Sequence, residues 1–302
     1  MIDTSYTTIG REFHPGREVR IYCDRDIEHL NRDIRFLKER YRIIYIKDGY
    51  GVFRNGDCCQ LITSPTVLCL NEQDDAELQD NTGLKLDIMY FDPICFERYV
   101  TFESLEAWKY SLQDDTRLFS PFFHRTDTYI GAFTTNRSLG NRVQQLISMT
   151  NSVLTEQKDH FWPCRSRSYF IELLLLVNSI FHLESYFKKV PAGNVTDEIR
   201  DLVSWLHIHY IDKITMDNIT KEFHTNKTTL NQKFKPLMGV TVMEYTNGLR
   251  IQIACSLLRK TYLSIKEITE RSGFRSDTHF LRSFRKYTGC TPSGYRNRYS
   301  TD

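Results

Sequence analysis

Several function classes are excluded by what this 302-residue chain lacks. It has eight cysteines, at positions 23, 58, 59, 69, 95, 164, 255 and 290, yet none forms a C-x-x-C pair or a Cys/His spacing suited to zinc. No zinc module and no disulfide framework are therefore expected. The thiols read as small apolar side chains in a reducing cytoplasm, with the adjacent Cys58 and Cys59 open to the alternative of an oxidant sensor. Long apolar runs are missing too. The longest, Ile171–Val177, contains Glu172 and is far short of the roughly 20 residues that span a bilayer. No signal-peptide pattern opens the chain. A cytoplasmic protein without a membrane partner is expected.

Strong net charge is also lacking: the formal balance is +2. That small number conceals an asymmetry. From Asn194 to Asp302 there are 17 Lys and Arg against 11 Asp and Glu, and the remainder carries 23 against 27. A basic C-terminal part joined to a mildly acidic N-terminal part fits DNA binding coupled to something that does not bind DNA. The length suits two domains.

The C-terminal part contains one pattern twice. Leu230, Phe234, Lys235 and Gly239 recur as Phe280, Phe284, Arg285 and Gly289, each fifty positions on, and Ile219-Thr220 recurs as Ile268-Thr269, forty-nine on. The slip falls in the turn between two helices. In the first copy Thr215 caps a helix from Met216 to about Phe223, His224-Thr225 forms the turn, and Asn226 caps a helix from Lys227 to about Leu237. Ile219, Phe223, Leu230, Phe234 and Leu237 share one face and pack the pair. The second copy opens on a capping box, Ser264–Glu267. Its first helix, Ile265–Ser272, stops at Gly273. Ser276 or Asp277 caps the second, which runs to about Thr288. Ile265, Ile268, Phe274, Phe280, Phe284 and Tyr287 are its expected core. A longer helix, opened by the box Thr241–Glu244 and reaching about Lys260, spaces the copies. Two helix-turn-helix units held so could enter DNA about one turn, ~34 Å, apart.

Ser264–Arg296 resembles the C-terminal signature of the AraC/XylS transcription regulators, with Ile265, Ile268, Gly273, Phe274, Phe280, Phe284, Gly289, Pro292, Tyr295 and Arg296 at the matching positions. Arg250, Ala254 and Leu258 fit as well, so the resemblance covers Val195 to Tyr299. It implies an AraC-type DNA-binding domain over 191–302, with helix-turn-helix units at 216–237 and 265–288. It places Thr228, Asn231, Gln232, Thr278, His279 and Arg282 at base-facing positions. Asn and Gln suit adenine there and Arg suits guanine. Lys227, Lys235, Arg275, Arg285 and Lys286 read as phosphate contacts, which orient without specifying. There are departures. Thr220 and Thr269 stand where the family has a small Ala, and Pro236 removes a backbone donor. Pro236 is expected to end its helix early, which puts the outward role of Lys235 in question.

Residues from about 15 to 92 read as short strands: Tyr41–Lys47, Tyr50–Arg54, Cys58–Ile62, Thr66–Asn71 and Leu84–Phe91. Asp48-Gly49 and Asn55-Gly56 are hairpin signals. Less specifically, this resembles the cupin-like sensing domain of AraC-type regulators. The fold class expected is thus α+β and multidomain: a cupin-like antiparallel β-barrel (1–92), a helical region (93–190) and the all-α DNA-binding domain. A metal-binding cupin needs His-x-His, a Glu and a later His. Only His14 and His29 are present in this part, so no metal, no cofactor and no enzyme activity are expected. Arg42, Tyr45, Tyr50 and Phe53 are the candidates for gripping a small-molecule effector such as a carbohydrate. Strand alternation separates Tyr41, Ile43 and Tyr45 from Arg42, Ile44 and Ile46 without saying which set faces in.

In 93–190, helices are expected at about Ser138–Lys158 and Ser166–Phe187. The second is apolar nearly all round from Phe170 to Val177, so it packs under the barrel or forms a subunit interface, the interface being favoured. Pro191–Asn194 marks the boundary. The expected function is a DNA-binding regulator, an activator more than a repressor, with promoter DNA, a small effector, RNA polymerase and a second copy of itself as partners. A regulator controlled by a protein partner instead of a ligand is the main alternative. A cupin enzyme, or a methyl-accepting repair protein needing a cysteine-rich zinc module, lacks its ligands.

Overall fold

Tyr41–Ile46 is rich in β-branched and aromatic side chains, and in the computed structural model it opens the central strand of a six-stranded antiparallel sheet. The structure describes residues 8–9, 18–28, 40–93, 116–126, 128–189 and 197–299. His14 and His29, the boundary Pro191–Asn194 and part of the expected helical region lie outside them. The chain divides into two units, Met1–Glu184 and Ser185–Asp302.

In the first unit, β1 (Thr8–Ile9) and β2 (Glu18–Val19) form a small ladder. The main sheet holds β3 (Ile21–Asp24), β4 (Tyr41–Asn55), β5 (Cys58–Thr63), β6 (Thr66–Leu70), β7 (Ala76–Phe91) and β8 (Ala132–Thr134). Its order is β3-β7-β4-β6-β8, with β5 on the far part of β4. The expected closed barrel is not what the described strands form. The sheet is open, with the short strands β3 and β8 at its ends. The strand count also differs. Tyr41–Lys47 and Tyr50–Arg54 are one strand, and β7 starts eight residues before the expected Leu84. The reason lies at Gly49. Its φ is +83°, as a tight turn would use, but it sits within a run of register shifts between β4 and β7. A Cβ there would stand 2.5 Å from the Gly83 backbone, so the two strands cross closely and continue. Asp48-Gly49 is a bulge. Asn55-Gly56 does turn the chain, pairing Asn55 with Cys58.

Both faces of the first half of β4 are covered, so Tyr41 to Ile46 are buried without a break, Arg42 included. Ile44 and Ile46 pack with Phe53, Leu68, Leu78, Leu86 and Ile88. On the other face, Tyr41 stacks against Phe122 at 5.5 Å and meets Phe91 edge-on at 5.7 Å. Tyr45 lies against Gly140. Phe122 belongs to the short helix α1 (Ser120–Phe123), and Gly140 to α2 (Arg137–Glu156), which Asn136 caps. The long helix α3 (Trp162–Lys189) adds Phe170, 4.8 Å from Phe91. From Phe170 to Phe181 the apolar side chains of α3 are 0–6% exposed. This stretch is buried inside its own unit, as the alternative of packing against the sheet expects. Within 93–190, expected to be mostly helical, Ala132–Thr134 instead adds the short strand β8 to the sheet. No helix among the described residues is long and apolar enough to cross a membrane.

The second unit is helical: α4 (Asp197–His209), α5 (Met216–Glu222), α6 (Lys227–Met238), α7 (Val242–Lys260), α8 (Ile265–Arg271), α9 (Asp277–Thr288) and α10 (Pro292–Tyr299).

Candidate nucleic-acid interface

Each recognition helix is set by a cap at its start and a left-handed residue at its end. Asn226 accepts from the Thr229 amide at 2.9 Å to open α6, and Ser276 accepts from His279 to open α9. Gly239 (φ +76°) and Gly289 (φ +77°) close them. The capping boxes at Thr241–Glu244 and Ser264–Glu267 are both complete. Glu244 and Glu267 titrate below the usual carboxylate range, because the backbone amide and hydroxyl of their caps hold the ionised form. Pro236 does not end α6. The helix runs on to Met238, since an exposed proline costs it one backbone donor bond while the turns on either side hold. Lys235 stays exposed on the helix.

The cores follow the repeat. Ile219, Leu230 and Phe234 are fully buried in the first unit, and Ile268, Phe274, Phe280 and Phe284 in the second. Phe223, Leu237 and Ile265 are half-buried. Tyr287 is a correction: it is 43% exposed, and its hydroxyl donates to the Glu244 carbonyl at 2.9 Å. The two threonines that replace alanine satisfy their own hydroxyls. Thr220 donates to Asp217 O at 3.2 Å and Thr269 to Ile265 O at 2.9 Å.

The outward faces are of one kind. On α6, Lys227, Thr228, Gln232 and Lys235 are exposed; on α9, Thr278, Arg282, Arg285 and Lys286 are. None of these eight side chains makes a hydrogen bond or ion pair with another described residue. Three candidates sit differently. Asn231 is half-buried and engaged at both ends: its carbonyl oxygen accepts from the Val242 amide at 3.1 Å, and its amide donates to Lys227 O at 3.1 Å. His279 packs edge-on against Phe274 at 5.3 Å. Burial lowers its pKa, helped by Arg282 and Arg250. Arg275 is exposed but spends one donor on Ile211 O at 3.1 Å.

The fixed geometry behind these faces rests on Arg250, whose role the residue pattern did not disclose. It is buried in α7. Its Nε donates to Tyr210 O at 2.8 Å, its Nη2 to Asp212 O at 2.9 Å, and the guanidinium lies 5.7 Å from the Phe274 ring centre. It thus ties the chain after α4 to the turn of the second unit. Burial pulls its pKa down to about 10. Gly273 (φ +84°) completes the joint: a Cβ there would lie 2.2 Å from the same Tyr210 oxygen. The spacer α7 has 19 residues, about 28 Å of helix.

The four effector candidates are not brought together. Arg42 and Phe53 are buried; Arg42 donates to Asn71 O at 3.0 Å and Asp74 O at 3.1 Å, and Phe53 belongs to the sheet core. Tyr45 is on the opposite face under α2, and Tyr50 is 51% exposed.

A family model described as a helix-turn-helix domain matches residues 219–298. The chain is 32% identical over 105 residues to an uncharacterized HTH-type transcriptional regulator, YtdP, of Bacillus subtilis (strain 168). That match takes in 35% of this chain but spans only 13% of the relative's length. It is 24% identical over 258 residues to the HTH-type transcriptional activator RhaS of Escherichia coli (O1:K1 / APEC), covering 85% of this chain and 84% of RhaS. Among solved structures, the DNA-binding domain of AdpA in complex with a target DNA is 25% identical, with a TM-score of 0.33, covering 34% of this chain and 94% of that one.

Proposed function

We propose, from the premise that this chain is an AraC-family DNA-binding transcriptional regulator, that it activates transcription from a promoter site read by α6 and α9 in successive major-groove faces. The observation that carries this reading is the pair of helices α6 and α9, whose outward side chains of Lys227, Thr228, Gln232, Lys235, Thr278, Arg282, Arg285 and Lys286 make no hydrogen bond or ion pair with another described residue. Gln232 and Arg282 have the chemistry for bidentate contact with adenine and guanine, while Thr228 and Thr278 suit a thymine methyl or a phosphate. Lys227, Lys235, Arg275, Arg285 and Lys286 neutralise phosphates. Asn231 leaves the base-facing set, because both ends of its side chain are used inside the domain. His279 acts through its packing on Phe274 at the start of α9.

The N-terminal unit biases DNA occupancy. A small-molecule effector does so by binding one of two states more tightly, in a regulator that acts as a homodimer and contacts RNA polymerase. The alignment with a named transcriptional activator across most of both chains supports activation. A second reading, control by a protein partner, is favoured by one observation: the sheet interior near Arg42 is filled by Ile44, Ile46, Phe53, Leu68 and Leu86.

Paired variants test the reading. Arg282→Ala lowers affinity for the selected site by about 1–3 kcal/mol and relaxes one base position. Lys227→Ala weakens all sequences alike and reduces the salt slope by about one phosphate contact. Equal loss on specific and random DNA for Arg282→Ala contradicts its assignment to a base.

A further inference from the structure

The two recognition helices differ at one position that the repeat itself makes comparable. Asn231 of α6 corresponds, fifty residues on, to Leu281 of α9, and Val242 at the start of α7 corresponds to Pro292 at the start of α10. In the first unit the Val242 amide needs an acceptor, and Asn231 supplies it at 3.1 Å. In the second unit Pro292 has no N–H, so nothing is asked of position 281. That position is filled by a leucine, 45% exposed. Leu281 is not a core residue that protrudes. Phe280, Ser283 and Phe284 form the buried side of α9, and Thr278, Leu281, Arg282 and Arg285 form its exposed stripe at i, i+3, i+4 and i+7. An apolar side chain therefore stands in the middle of the face argued to enter the groove, bracketed by a guanine-type donor and a phosphate-type cation.

Resting on the DNA-reading function above, we infer that Leu281 is a specificity residue that takes the 5-methyl group of a thymine next to the base read by Arg282. The thymine methyl is the apolar feature of the major groove. A leucine there discriminates through burial alone, with no hydrogen bond to make. The first unit has no equivalent, because its matching residue is spent on the α6–α7 joint. The second unit is then the more demanding about thymine.

Deoxyuridine tests this directly, since it removes the methyl and leaves the pairing and hydrogen-bonding edge intact. Full-length protein is titrated on its footprinted site and on copies in which each thymine of the second half-site is replaced in turn. At one position the uracil copy should bind about fourfold more weakly, the value of one buried methyl. Leu281→Ala should bind the thymine and uracil copies equally there, with an unchanged melting temperature. Leu281→Asn should also lose the methyl preference. If the wild-type protein ignores every uracil replacement, or if Leu281→Ala keeps the discrimination, the inference is overturned while Arg282→Ala still reports base reading. If the protein shows no preferred site, the DNA-reading function fails and takes this inference with it.

Discussion

Removing Arg250 should loosen the DNA-binding unit without touching its DNA-facing surface. Arg250→Ala deletes two charge-assisted hydrogen bonds, 2.8 and 2.9 Å long, to the carbonyls of Tyr210 and Asp212. Bonds of this type are worth about 1.5–3 kcal/mol each. The cation over the Phe274 ring adds about 0.5–1 kcal/mol. Against this stands the cost of burying the charge, visible in a pKa pulled down to about 10. That cost is relieved on mutation and offsets part of the loss. The net expectation is a loss of about 3 kcal/mol. For a unit of this size that lowers the melting temperature by roughly 12–20 °C, read by differential scanning calorimetry on the full chain. Arg250→Lys keeps the charge but reaches one carbonyl at a time, and should recover about half the loss. Below the melting temperature, the salt slope of binding to random DNA should be unchanged, because the guanidinium is buried. A loss under about 1 kcal/mol, or a reduced salt slope, refutes the clamp.

Gly273→Ala attacks the same joint from the other side. With φ at +84° and the new Cβ 2.2 Å from Tyr210 O, it should cost at least about 2 kcal/mol, and denaturant unfolding reads it. Asn231→Ala should cost about 1–3 kcal/mol by leaving the Val242 amide without its acceptor, while the base preference of the first half-site stays as it was. A lost adenine preference would return Asn231 to the base-facing set. His207 is buried beside the Tyr245 hydroxyl at 3.0 Å, and burial lowers its pKa from 6.5 to about 4. The unfolded chain therefore binds this proton more readily. Stability from keeping His207 neutral is full above pH ~6.5 and is lost as the pH falls toward 4, by up to about 3 kcal/mol. His207→Gln should flatten that part of the stability–pH curve.

Most of the helical half was legible because its punctuation is local. Thr241–Glu244 and Ser264–Glu267 specify helix starts within four residues, and Gly239 and Gly289 specify stops. The misreadings there concern what local pattern does not carry. Tyr287 shares the helical period of the core, but its hydroxyl goes to Glu244, forty-three residues away. The commitment of Asn231 appears only once α7 is docked on α6. In the sheet, Asp48-Gly49 has the residues of a turn. Whether it turns or bulges depends on Gly83 across the ladder. The first half of β7, with its polar Gln79–Thr82, lacks the alternation of a half-buried strand and becomes one by pairing with the far half of β4. Residue type alone does not bring the effector candidates to one site, and the strand pleat sends Tyr45 and Arg42 to opposite faces.

The central claim is that both helix-turn-helix units read one site. Selecting genomic fragments on the purified full-length protein, then footprinting the winner at physiological salt, tests it most directly. Two protected major-groove faces about one turn, ~34 Å, apart for each protomer are expected, the second lost selectively in Arg282→Ala. Protection of a single face, or binding with no sequence preference, contradicts the account.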